Sequence, residues 1–372
     1  MRVTLERSVL LKALNHVHRV VERRNTIPIL SNVLLNAEGS ELHLKATDLD
    51  LEISEKAAAV VEQSGGTTVP AHMFFDIIRK LPDGSEVMLA TEPDGKLLNI
   101  TSGKAKFSLQ MLPDSEFPDI TTGEFSHTFR MPSSDIRKLI DHTQFAISTE
   151  ETRYYLNGIF FHTVEDDNEL VLRAVATDGH RLARIQIKAP LGSEGMSQII
   201  VPRKAVGEIQ KLVEDPEANA TIEVSETKLR MSVGSVIITT KLIDGTFPDY
   251  NRVIPQGNDR ELKMDRGSFA AAVDRVSTIS SERGRAVKLA ISDGQVILSV
   301  NNPESGSATE EIAVGYSSEA MEIGFNSRYL LDITNQLVGE DTTFMLADSG
   351  SPTLIQDSAE TGAVYVLMPM RV

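Results

Sequence analysis

Apolar positions recur along the chain in two periods, and the same order of periods is met three times. Each pass opens on a helical stripe: Val9, Leu10, Ala13, Leu14, Val17 and Val21 within residues 5–21; Ile136, Leu139, Ile140, Thr143 and Ile147 within 134–147; Phe269, Val273, Val276 and Ile279 within 268–279. Spacings of three and four set these side chains on one face, so each stripe predicts an amphipathic helix. A strand ending in a polar turn comes next, at Leu44-Lys45-Ala46-Thr47-Asp48-Leu49-Asp50, at Ala174-Val175-Ala176-Thr177-Asp178-Gly179-His180 and at Leu298-Ser299-Val300-Asn301-Asn302-Pro303-Glu304. Asp, Asn and Gly suit such turns because they tolerate left-handed backbone and bond nearby amides. Second helices are expected from Val69-Pro70-Ala71-His72, Val201-Pro202-Arg203-Lys204 and Phe325-Asn326-Ser327-Arg328, proline costing little at a helix start. Each pass closes on alternating strand residues and a proline-bearing turn: Lys106-Phe107-Ser108-Leu109 before Phe117-Pro118-Asp119, Thr239-Thr240-Lys241-Leu242 before Phe247-Pro248-Asp249-Tyr250, and Ala363-Val364-Tyr365-Val366 before Met368-Pro369-Met370.

Four landmarks kept in order through three passes describe a triplicated unit. Two helices and many short strands per unit make the fold class α+β, with helices packed on antiparallel sheets. The expected domains are 1–123, 124–255 and 256–372, with linkers near 121–126 and 255–259 where Gly, Asn and Asp cluster.

Composition narrows the function. A chain of 372 residues suits two or three domains, and 41% hydrophobic with 24% charged residues is ordinary for a globular protein. No apolar run approaches bilayer-spanning length, and Met1-Arg2-Val3-Thr4-Leu5-Glu6-Arg7 lacks the apolar core of a signal peptide, so a cytoplasmic protein without membrane partners is expected. The absence of cysteine excludes disulfides, thiolate zinc sites and cysteine nucleophiles. A net charge of -16 argues at first against nucleic acid, whose binding is driven by counterion release from Lys and Arg. The objection falls if the cations gather on one surface and the acids face solvent.

Arg153-Tyr154-Tyr155-Leu156-Asn157-Gly158, Ala176-Thr177-Asp178-Gly179-His180-Arg181-Leu182-Ala183, Phe247-Pro248-Asp249-Tyr250 and Met368-Pro369-Met370-Arg371-Val372 closely resemble the beta-subunit family of bacterial DNA polymerase III, the DNA sliding clamps. The resemblance runs from Pro28-Ile29-Leu30 to Met321-Glu322-Ile323-Gly324-Phe325-Asn326 and beyond. It implies a DNA clamp fold, a head-to-tail homodimer closing a six-domain ring, and a channel lined by twelve helices. It further implies a non-enzymatic processivity factor, without cofactor or metal, that encircles double-stranded DNA without sequence preference. Its expected partners are the replicative polymerase, the clamp loader, and repair polymerases or ligases carrying short peptide motifs. Geometry supports the dimer: domains of about 120 residues are roughly 35 Å across, so three in a ring leave about 5 Å and six leave about 35 Å, against about 20 Å for B-DNA.

If two helices per unit line the hole, their polar faces must carry the cations. Candidates are Lys12, Arg19, Arg23, Arg24, Arg79 and Lys80 in the first unit, Arg137, Lys138, Arg203, Lys204 and Lys211 in the second, and Arg275, Arg283, Arg285 and Arg328 in the third. The resemblance puts Arg24, Tyr154 and Tyr155 on DNA. Neighbours on a strand face opposite ways, so one of the two tyrosines is expected to point outward. The resemblance also implies a hydrophobic peptide groove walled by Leu156, Thr177, Gly179, His180, Arg181, Leu182, Pro248, Arg252, Val253, Val366, Met368, Pro369, Met370 and Arg371. Methionines there suit several partners, being able to repack around varied anchors. At the dimer seam it brings Ile77, Leu81, Phe107 and Leu109 of one protomer to Thr278 and Ile279 of the other, Thr278 being a polar departure from the pattern.

Two other classes compete. Asp48, Asp50, Asp178 and His180 could hold magnesium in a carboxylate-dependent DNA-processing enzyme. The matching turn in the third unit is Asn301-Asn302, however, which reads as turn chemistry, and no phosphate-binding loop, G-x-S-x-G elbow or H-E-x-x-H occurs. A structural adaptor without DNA contact would scatter its basic residues outward.

Overall fold

The computed structural model describes every residue except Asp94, Thr121, Thr122, Glu282, Arg283, Gly284 and Val372. Arg283 of the basic set and part of the first expected linker therefore lie outside the described residues. Each expected unit carries two α-helices: α1 (Arg7–Val17) and α2 (Ala71–Lys80), α3 (Ser133–Asp141) and α4 (Arg203–Leu212), α5 (Arg266–Ser277) and α6 (Ser327–Thr334). The opening helix starts later than the apolar stripe suggests, because Arg2–Glu6 is a strand with Val3 and Leu5 buried on one side. Likewise α3 stops at Asp141 and the stripe continues through a 3-10 turn at Gln144–Ala146. Thr143 Oγ1 donates to the Leu139 carbonyl at 2.6 Å, taking up an acceptor at the helix end. The third unit caps its helices with side chains: Asp265 accepts from the Ser268 amide, and Asn326 from those of Arg328 and Tyr329.

Contacts divide the chain into two compact units, each described by itself. The first comprises Met1–Ser134, Pro190–Ser197 and Gly207–Leu242; the second comprises Asp135–Ala189, Gln198–Val206 and Ile243–Val372. Each is built on an eight-stranded antiparallel sheet that runs across an expected domain boundary. In the first unit the order is His127–Pro132, Asn219–Val224, Lys228–Val233, Val236–Lys241, Leu51–Ala58, Glu41–Thr47, Asn32–Glu38, Gly65–Pro70. In the second it is Ile199–Pro202, Gly158–Asp166, Glu169–Thr177, Arg181–Lys188, Val364–Leu367, Thr353–Asp357, Asp341–Leu346, Arg260–Asp265. The seams are ordinary backbone ladders, Ile238 standing opposite Ile53 and Leu182 opposite Val366. A five-stranded sheet ending on Ala105–Gln110 completes the first unit, and a four-stranded one running from Gly306–Ala313 to Met321–Asn326 completes the second.

The helices cover these sheets with their apolar stripes. Leu10, Leu14 and Val17 of α1 and Phe74 and Ile78 of α2 are fully buried, as are Phe269 and Val273 of α5 and Leu330 and Ile333 of α6. Phe269 meets Phe344 edge to face at 5.4 Å. Burying each such side chain contributes about 1.5–3 kcal/mol.

The polar turns of the first two expected units are the same object. Thr47 Oγ1 donates to the Leu51 carbonyl and accepts from the Leu49 amide, while Asp48 Oδ1 accepts from the amides of Asp50 and Leu51. Thr177 Oγ1 donates to the Arg181 carbonyl and accepts from the Gly179 amide, while Asp178 Oδ1 accepts from the amides of His180 and Arg181. The third strand instead runs on through Asn302, whose amide donates to the Ile279 carbonyl.

Burial holds His18, His142 and His162 below their ordinary value of 6.5. The folded protein keeps these rings neutral where the unfolded chain accepts protons, so this part of the stability is complete above about pH 6.5 and declines below it. Thermal midpoints should therefore fall between pH 7.5 and 5.5. A midpoint that stays level or rises over that interval would contradict the assignment.

Candidate peptide groove and nucleic-acid contacts

The second unit gathers an apolar cluster directly on its seam. Leu182 and Val366 are cross-strand partners, and they pack with Leu156, Phe160, Val175, Ile200, Phe247 and Tyr250; Tyr155, Ile243, Ile254 and Leu354 lean against the cluster half-buried. Phe160 and Phe247 stack face to face at 4.7 Å and 2°. Large apolar residues that remain open to solvent border this patch: Tyr154 at 53% exposure, Val253 at 45% and Met368 at 37%. An exposed apolar rim around a buried apolar floor is what a short hydrophobic segment needs in order to dock.

The rim is held by local backbone chemistry. Asp249 accepts from the Asn251 amide and from Arg252 Nε, closing a 3-10 turn at Tyr250–Arg252 that turns Phe247 and Tyr250 inward and leaves Pro248, Arg252 and Val253 outside. The C-terminal end is tied at two places, the Met368 amide donating to the His180 carbonyl and the Met370 amide to the Gly324 carbonyl. Pro369 and Met370 are half-buried there and Arg371 is exposed. Gly179, at φ 88°, takes a backbone conformation that strains any other residue, and Arg153 Nη1 lies where a Cβ would point. Arg153 in turn holds Glu150 at 2.6 Å, and its hydrogen bond keeps that carboxyl below the usual range.

Leu156, Leu182 and Val366 thus stand together, with Pro248, Val253 and Met368 at the rim. Arg181 points elsewhere: it is buried against Asp178 at 3.1 Å and Asp332 at 2.6 Å, donates to the Phe145 carbonyl and lies 4.2 Å over the Tyr329 ring. Thr177 is occupied by its turn, and His180 is exposed over Tyr329. Phe160, Val175, Ile200, Phe247 and Tyr250 were absent from the sequence-based set. The aromatic residues flanking Pro248-Asp249 were the available signal.

Tyr154 and Tyr155 lie in a 3-10 turn, Glu151–Leu156, not on a strand. Their divergence has a different cause from the one expected: successive positions of a tight helical turn splay apart, and Tyr155 packs inward while Tyr154 stays outside, ring edge to face at 5.7 Å. Arg24, Arg79, Lys80, Arg137, Arg203 and Lys204 are exposed. Several cations already have acidic neighbours: Arg79 with Asp76 at 2.9 Å, Arg137 with Asp141 at 3.4 Å, Lys138 with Glu360 at 2.6 Å, Lys211 with Glu208 at 2.7 Å, and Arg275 with Glu310 at 2.5 Å.

In the first unit, Ile77, Leu81 and Phe107 share a surface pocket of about 470 Å³ with His72, Met73, Asp76 and Lys80, while Leu109 is buried and not part of its lining. In the second, Thr278 is exposed and donates to the Asp274 carbonyl; Ile279 is half-buried. Among the described residues, no group of three or more His, Asp or Glu side chains is placed to hold a metal ion.

Three family descriptions match the chain in succession: the N-terminal domain of the DNA polymerase III beta subunit over residues 1–121, its central domain over 130–249 and its C-terminal domain over 251–371. The beta sliding clamp of Caulobacter vibrioides is 50% identical over 372 residues, and that of Escherichia coli K12 is 40% identical over 373, each covering all of both chains. Among solved structures, a sliding clamp from Bartonella birtlesii bound to griselimycin superposes with a TM-score of 0.97 at 57% identity, with both chains fully covered. One from Pseudomonas aeruginosa, also bound to griselimycin, gives 0.94 at 39%, again over the whole of both chains. The repeated helix pairs, the shared sheets and these full-length matches agree, and the chain belongs to the DNA polymerase III beta-subunit family, the bacterial beta sliding clamps.

Proposed function

We propose that two copies of this chain close head to tail into a ring around duplex DNA, and that the apolar groove takes short peptides of the polymerase, clamp loader and repair proteins. The function is that of a sliding clamp; the observation that carries it is full-length identity of 50% to a beta sliding clamp across three successive family domains. We assign domains near 1–123, 124–255 and 256–372, a non-catalytic role, and a cytoplasmic location. No described helix is long and apolar enough to cross a membrane.

Sheet edges support the ring. The last strand of the second expected domain, Val236–Lys241, pairs with Leu51–Ala58 of the first, and the last strand of the third, Val364–Leu367, pairs with Arg181–Lys188 of the second. By the same rule the last strand of the first, Ala105–Gln110, calls for Gly306–Ala313, its counterpart in a third domain. Each of these strands has only one neighbour among the described residues. Pairing them between two protomers is a head-to-tail contact that closes, and it brings the Ile77, Leu81 and Phe107 pocket towards Thr278 and Ile279.

Weak, sequence-blind contacts suit sliding. Exposed ion pairs such as Arg79 with Asp76 are worth only about 0–1 kcal/mol, so phosphate can replace the carboxylate at little cost and be released again. The carboxylate enzyme is disfavoured by the turn geometry: Asp178 Oδ1 already accepts two backbone amides and Oδ2 accepts from Arg181.

Assembled on nicked circular duplex, the protein should stay with DNA through gel filtration and be lost once the circle is cut; equal retention on both forms would rule out topological linkage. Its solution mass should be twice that of the chain, and Phe107→Asp should halve it, whereas an unchanged mass would place the seam elsewhere. Griselimycin should bind the intact protein, and a chain ending at Leu367 should keep its dimer mass while losing that affinity. Retained affinity would remove the C-terminal residues from the groove.

A further inference from the structure

Behind the groove's floor, three neighbouring strands of the second unit place polar side chains in a row. His162 stands opposite Arg173, and Arg173 opposite Gln186, in consecutive antiparallel registers. These positions lie on the face that carries Phe160 and Val175, two residues along each strand, so the apolar cluster ends against them. His162, Arg173 and Tyr250 are all more than nine-tenths buried. Buried polar groups of this kind must satisfy one another.

Tyr250 is where the row meets the groove. Its Oη lies 2.9 Å from His162 Nε2 and 3.5 Å from Arg173 Nη1. Arg173 is itself fixed, its Nε donating to Gln186 Oε1 at 2.7 Å and its Nη2 pairing with Asp166 Oδ1 at 2.9 Å; Gln186 Nε2 closes the loop on Asp166 Oδ2 at 2.7 Å. A guanidinium can only donate, so the tyrosine oxygen accepts from Arg173, and His162 Nε2 is its second hydrogen-bond partner. Burial pushes His162 down and so favours its neutral ring. His162 also stacks at 4.8 Å on Phe160, which stacks on Phe247.

We propose that His162 and Arg173 are positioning residues for the peptide groove: by holding the Tyr250 hydroxyl they fix the Tyr250–Arg252 turn, and with it the wall formed by Pro248, Arg252 and Val253. The inference rests on the groove reading above. Neither polar residue reaches the ligand; both act through one phenol. The requirement at position 162 is specific, a group that hydrogen-bonds the phenol at the depth of Nε2, so glutamine can replace histidine and phenylalanine cannot.

The test measures griselimycin affinity and thermal midpoint on the full chain. Tyr250→Phe, which removes a single oxygen, and His162→Phe should each weaken griselimycin by about tenfold, the loss of one buried hydrogen bond. His162→Gln should return affinity to within about threefold of the parent, while Met368→Ala, at the rim, marks the groove independently. If Tyr250→Phe binds as tightly as the parent while Met368→Ala weakens, the positioning role is overturned and the groove stands. If His162→Gln is as weak as His162→Phe, the hydrogen-bond requirement is overturned. If the parent does not bind griselimycin, the groove reading falls and the inference with it. Should His162→Phe fail to fold, Tyr250→Phe alone decides.

Discussion

A strand at the edge of a sheet presents unpaired amides and carbonyls, and this fold is organised by where those edges go. Within each unit the expected domains share one eight-stranded sheet, so a boundary that looks like a linker in sequence is crossed by a continuous hydrogen-bonded ladder. The proposed closure would pair two further edges, Ala105–Gln110 and Gly306–Ala313, and blunt their tendency to recruit foreign strands. The proposed ring is therefore as much a solution to sheet chemistry as an adaptation to DNA.

The groove follows from the same constraint. Where Arg181–Lys188 meets Val364–Leu367, the two strands bring Leu182 beside Val366, and alternation sends the neighbouring Arg181 to the other face, where Asp178, Asp332 and Tyr329 absorb its charge. One seam thus yields an apolar floor on one side and a charged strut on the other. The strut is costly to break, since removing one partner of a buried ion pair strands the other. It stiffens the turn at Asp178 to Arg181 that borders the groove.

Much of this was legible in the residues and some was not, for physical reasons. The presence of the six helices, though not all their bounds, and the two Thr-Asp turns were legible because their hydrogen bonds and periodicity are local. Leu5 misled, because an alternating strand running into an amphipathic helix leaves an apolar residue in phase with both. Tyr154-Tyr155 misled for a similar reason: a 3-10 turn has no signature in so short a run. Arg181 was placed in the groove by resemblance, yet its direction depends on the strand phase, and that is set by the distant pairing with Leu367. His162, Arg173 and Gln186 carried no sequence signal, being eleven and thirteen residues apart and joined only by register across three strands.

Charge shows the same separation between what a chain sums to and what a surface presents. The excess of acids that first argued against nucleic acid includes Asp76, Asp141 and Glu310, each beside one of the cations expected to face DNA. A cation held loosely by a neighbouring carboxylate keeps its attraction for phosphate, but the exchange of one partner for another gains little free energy. Tight binding would arrest a clamp, and bare cations lining a channel would bind tightly at low salt. In the proposed ring such pairing would lower that affinity, so an acidic net balance is no objection to a clamp that slides.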